Sequence, residues 1–140
     1  MIRTALVIWL VFGSASEKAF ADEHSPAMVV LKGIVKSKVK WGPPGFGETR
    51  KLDHKAVIFT LLLKDPVSIK QLSLPEDQSR KDEKLSEVQL FCDSTRFPQC
   101  GSLLKKSLGK SITISGQAVR AAEPTDYLPV TFWVRLITSQ

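Results

Sequence analysis

Between residues 28 and 41, apolar and polar side chains alternate. Val29, Leu31, Val35, Val39 and Trp41 share one parity with Gly33 and Ser37; Lys32, Lys36, Lys38 and Lys40 share the other with Val30 and Ile34. A period of two puts successive side chains on opposite faces of a pleated strand, so this stretch predicts a long, half-buried strand. Gly33 in its middle predicts a bulge or a sharp bend. Gly42-Pro43-Pro44-Gly45-Phe46-Gly47 then interrupts regular structure. Residues 55–63 predict a second strand, apolar almost throughout, so both of its faces, or a barrel crossing, should be buried. Asp65-Pro66 ends or kinks it, and residues 67–69 can continue it.

A charged stretch without periodicity covers residues 75–84. Residues 85–91 predict a third strand with Val88 and Leu90 on one face. Residues 102–108 carry Leu103, Leu104 and Leu108 at helical spacing before Gly109, the pattern of a short helix with a glycine stop. Residues 111–118 predict a fourth strand with Ile112, Ile114 and Ala118 inward. Residues 129–137 predict a fifth, with Val130, Phe132, Val134 and Leu136 on the core face and Trp133 and Arg135 on the other. Three strands, a short helix, then two strands is the element order of a mainly β, five-stranded barrel of the oligonucleotide/oligosaccharide-binding (OB) type. An immunoglobulin-like sandwich needs about seven strands.

Residues 1–21 have the pattern of a secretory signal peptide: Arg3, the apolar run from Ala5 to Phe12, a break at Gly13-Ser14, and the small-x-small site Ala19-Phe20-Ala21. The run is far shorter than the roughly 20 residues of a membrane-spanning helix. The reading expects a protein exported to the periplasm or secreted, with residues 22–140 forming one domain and no span in the mature form. Removing Arg3, Lys18 and Glu17 from 20 basic and 14 acidic side chains leaves the mature part at +5. That excess favours acidic partners and equally serves solubility. Cys92 and Cys100 are the only cysteines. An even count in an oxidising compartment predicts a disulfide between them.

Reaction chemistry finds little support in the sequence. His24 lies near the expected mature N-terminus. Asp53-His54 could be half of a nucleophilic system, but no Gly-x-Ser-x-Gly elbow accompanies it. No His, Cys, Asp and Glu spacing suits a metal, and the glycines of 42–47 lack the Lys-Ser/Thr ending of a phosphate loop. The expectation is a protein that is not an enzyme and needs no cofactor. Candidate binding residues cluster instead on loops and outer strand faces. Lys38 and Lys40 line one side of the first strand, as a binding row, a solvated face or a guard against edge pairing. Phe46 and Arg50 sit on the loop after it, and Tyr127 on the loop before the last strand. Trp133 and Arg135 face away from the core, toward a ligand or a second small core; both types are enriched at binding hot spots. Trp41, by parity, belongs to the core.

Pieces of the chain resemble an uncharacterised family of small bacterial secreted domains, sometimes joined to lysozyme-inhibitor-like domains. The matching pieces are Leu31-x-Gly33-x-Val35, Gly42-Pro43-Pro44 with Glu48, Leu61-x-Leu63 with Pro66, Val88-Gln89-Leu90, Leu108-Gly109-Lys110 with Ile112 and Gly116, and Leu128-Pro129-Val130. The family carries adjacent histidines before the last strand where this chain has Asp126-Tyr127, so no role of those histidines transfers. The resemblance implies a cell-envelope address and no activity. Together these observations lead to an expected binding module of the bacterial envelope, recognising a protein or a peptidoglycan-like acidic glycan. Phe46, Tyr127 and Trp133 would be apolar anchors; Lys38, Lys40, Arg50 and Arg135 would be charge partners. The alternative is a periplasmic inhibitor or accessory factor of one envelope enzyme. The fold and charge would admit nucleic acid, but the export signal argues against it.

Overall fold

The computed structural model describes residues 27–74 and 83–139. The stretch read as an export signal and His24 lie outside these residues, as does most of the charged stretch before the third strand. The elements are β1 (Val29–Trp41), β2 (Lys55–Ser68), a 3-10 turn (Lys70–Leu72), β3 (Lys84–Cys92), α1 (Cys100–Lys106), β4 (Ser111–Arg120) and β5 (Val130–Ser139). The strands close into a barrel in the order β1-β2-β3-β5-β4. Every neighbouring pair is antiparallel except β3 and β5, which run parallel with Phe91 opposite Trp133. With one short helix between β3 and β4, this is the five-stranded OB-like arrangement.

Alternate side chains point into the barrel. Leu31, Val35, Leu61, Val88, Ile112, Ile114, Val130, Phe132 and Val134 are all buried there. Burying each such side chain contributes about 1.5–3 kcal/mol, so the inward rows hold the closed sheet together. Leu104 and Cys100 from α1 add to the same core, and Cys100 forms a disulfide with Cys92 at the end of β3. Among the described residues no helix is long and apolar enough to cross a membrane.

The structure corrects several readings of the pattern. β2 is not buried on both faces: Leu62 on its outer row is 40% exposed, and Val57 on its inner row is 63% exposed because it lies, like Val39 opposite it, beyond the closed part of the barrel. It also runs through Asp65-Pro66 to Ser68, with a register irregularity against β3 between Leu62 and Val67. Val39 shares the core parity yet is 62% exposed, since the β1–β2 hairpin outruns the closed part of the barrel. Trp41 is outside the core for the same reason. It packs beside the following loop, with the Lys55 ammonium 5.4 Å from its ring centroid. Leu136 is 57% exposed, because the register between β4 and β5 shifts after Ser115↔Leu136 and skips Arg135. Gly33 carries no bulge: the register of β1 is unbroken there against both β2 and β4. A Cβ on it would lie 2.3 Å from the Leu62 carbonyl oxygen, so a close backbone approach accounts for the glycine. The helix begins and ends two residues earlier than its leucine pattern suggests, and Leu108 instead bridges to Val35 beyond it.

Candidate functional site

Two loops rise beside the outer face of β2 and β3, and each is built around one aspartate. In the β1–β2 loop, the Asp53 carboxylate accepts from the backbone N–H groups of Gly45 (2.6 Å), Gly47 (2.7 Å) and Thr49 (3.1 Å), and from the Thr49 hydroxyl (2.9 Å). Burial would raise its pKa, but these bonds prevail and hold it below its ordinary value. They fix a turn in which Phe46 and Gly47 both have positive φ, 50° and 107°. Asp53 is therefore engaged by the loop itself, while His54 is exposed and donates its backbone N–H to the Pro43 carbonyl.

In the β4–β5 loop, Asp126 accepts from the N–H groups of Ala122 and Glu123 (both 2.9 Å) and from the Thr131 hydroxyl (2.7 Å). Burial again acts upward, and these donors hold the carboxyl below its usual value. Buried Gln89, on the outer face of β3, ties this loop down: its amide donates to the Thr125 carbonyl (3.0 Å) and accepts from the Tyr127 N–H (2.8 Å). The Tyr127 hydroxyl then donates to the Trp41 carbonyl (2.9 Å). One side chain thus links the second loop to the root of the first.

Between the loops lies a groove of about 670 Å³, with Pro43, Ala56, Ile58, Phe91, Tyr127 and Trp133 among its lining. The parallel β3–β5 pairing brings Phe91 and Trp133 side by side, their ring centroids 4.9 Å apart and tilted by 41°. Phe91 is 43% exposed. The Arg135 guanidinium lies 5.9 Å from the Trp133 ring centroid and donates to the Gln117 side chain (3.2 Å). Farther along the same face, Glu87 accepts from Lys38 (2.5 Å) and from the buried Thr60 hydroxyl (2.6 Å). Burial pushes the Glu87 carboxyl up. The bonds from Lys38 and Thr60, with the charges of Lys38 and Lys40, pull it below its ordinary value.

Of the residues singled out in the sequence, Tyr127 and Trp133 line the groove. Tyr127 acts there mainly as a brace, because its hydroxyl and N–H are both engaged. Lys38 and Lys40 stand on β1, opposite Ile58 and Ala56 of the groove floor; Lys38 is held by Glu87. Phe46 is 40% exposed at the loop tip, and Arg50 borders a separate shallow depression formed by residues 47–52. Neither lines the groove. Arg135 backs Trp133 without lining it. Sequence reasoning missed Ile58, Gln89 and Phe91. The outward parity of Gln89 and Phe91 was visible, while Ile58 was hidden in a run apolar almost throughout; the cross-strand neighbours that make them a site follow from the strand order.

No protein-family model matches the chain, and no curated protein is similar enough to count as a match.

Proposed function

We propose that this chain is a non-enzymatic binding module of the bacterial cell envelope, exported by its N-terminal signal, and that its groove takes an acidic glycan of the peptidoglycan class. The observation carrying this reading is the groove itself, an apolar trough with an aromatic pair on its floor between two internally braced loops. Tilted aromatic faces suit the apolar face of a sugar ring. The ammonium of Lys40, one strand away, suits a carboxylate on that ring. Braced loops lose little freedom on binding, which favours affinity.

The test is calorimetric titration of soluble peptidoglycan fragments into the exported chain at low and moderate salt. Phe91→Ala and Trp133→Ala should each weaken binding by about 2 kcal/mol, roughly thirtyfold. Binding should also weaken with salt, because exposed charges are screened over about 8 Å at physiological ionic strength. The apolar lining favours a second reading, an inhibitor or accessory factor whose partner inserts apolar side chains. Capture of one envelope protein at both salts, with no fragment binding, would select that reading.

A further inference from the structure

β1 changes partners along its length, and both edges are paired only around Gly33 and Ile34. β4 accompanies β1 from Val29 to Ile34. Val35 closes that seam, donating its N–H to the Lys110 carbonyl (3.1 Å) and accepting from the Gly109 N–H (2.9 Å). From Lys36 to Trp41 the strand keeps β2 alone, and no described strand lies along its other edge. In an antiparallel ladder, alternate residues direct their N–H and C=O to opposite edges. Val35 addresses the β4 side, so Ser37 and Val39 do as well, beyond the point where that side has a partner. Val39 is 62% exposed and its cross-strand neighbour Val57 63%, so nothing among the described residues covers this edge.

We propose that the open edge of β1 receives an extended acidic segment of a partner protein, which adds to the barrel as a sixth strand. Backbone groups of Ser37 and Val39 supply the ladder, and side chains select the occupant. On the outer face the added strand meets Lys36 and Lys40, which calls for carboxylates; Lys38 already holds Glu87. On the inner face it meets the exposed Val39, which calls for an apolar residue. The fitting segment alternates acidic and apolar positions. A second copy of the same edge would set two lysine rows against each other, and like charges directly opposite are destabilising. The row therefore guards against self-pairing while leaving the edge open to an acidic strand. This surface shares Lys40 and Val57 with the margin of the groove but not its aromatic pair, and the inference stands without the glycan reading.

The probe is a capped peptide, Glu-Val-Glu-Thr-Glu-Val-Glu, added to the full chain and followed by amide hydrogen exchange and chemical-shift mapping. Exchange at the Ser37 and Val39 amides should slow by about tenfold or more on saturation. Ser37→Pro should abolish this while leaving the unfolding transition in place, because proline is tolerated where a strand N–H faces an open edge. Lys36→Glu with Lys40→Glu should lose the acidic peptide and gain its lysine-substituted counterpart; this swap decides the matter if the proline variant fails to fold. Trp133→Ala should bind the peptide as the wild type does. No protection at millimolar peptide would overturn the proposal. So would binding indifferent to the charge swap, shifts mapping to Phe91 and Trp133, or protection of the same amides by self-association.

Discussion

Asp53 and Asp126 do the same work on the two sides of the groove. Each carboxylate gathers backbone N–H groups of its own loop, which would otherwise lack partners and let the loop open. Asp53→Ala should lower the unfolding temperature and speed exchange of the Gly45 and Gly47 amides; unchanged exchange would show that the turn holds itself. The pH dependence follows from the same bonds. Asp53, Glu87 and Asp126 are all held below their ordinary values, so the unfolded chain binds protons more readily than the folded one. Their contribution is complete above the unfolded carboxylate range and is lost as pH falls through about 4 toward the lowered folded values. Denaturant unfolding between pH 7 and 3 should show that decline, and a gain in stability on acidification would contradict it. Little of this was legible in the sequence, where Asp53 invited pairing with His54. A carboxylate whose partners are backbone amides leaves no side-chain pattern to read. Gly116, by contrast, was visible as a glycine inside a strand. An added Cβ would lie 2.1 Å from the Trp133 carbonyl oxygen, so Gly116→Ala should cost about 2–3 kcal/mol in chemical denaturation.

The strands themselves were legible because alternation is strong wherever the barrel is closed. It misled where a strand leaves the closed part or slips its register. Val39 and Trp41 keep the core parity after β1 has outrun the core. Leu136 keeps it after the slip at Arg135 has turned the face outward, and Ile137 packs against the core in its place. Hydrophobicity along one strand cannot report a slip, which depends on the neighbouring strand. The cysteine pair was legible from an even count and the compartment the sequence led us to expect. It ties the start of α1 to the end of β3, with a sequence separation of 8. Replacing both cysteines with serine should cost about 2–3 kcal/mol by the loop-entropy relation. Hydrogen exchange should localise the loss to α1 and the turn before it; loss confined to β1 and β2 would contradict that placement.

At the scale of the whole molecule, closure of the barrel creates the groove. The parallel β3–β5 seam sets Phe91 beside Trp133, and Tyr127 spans from the second loop to the root of the first. Trp133 could be singled out from one strand, but its partner could not, because the two residues are 42 positions apart in the chain and meet only through strand order. Core and groove then make opposite demands of neighbouring residues in β5. Phe132→Ala should cost about 3–5 kcal/mol of stability with the groove lining otherwise intact, whereas Trp133→Ala should act mainly on binding. The most direct measurement is therefore the paired one on Trp133→Ala: its unfolding free energy and its affinity for soluble peptidoglycan fragments, each against wild type. The account predicts an affinity loss of roughly thirtyfold with a stability change below about 1 kcal/mol. A loss of more than about 3 kcal/mol in stability, or unchanged affinity in a folded variant, would contradict it.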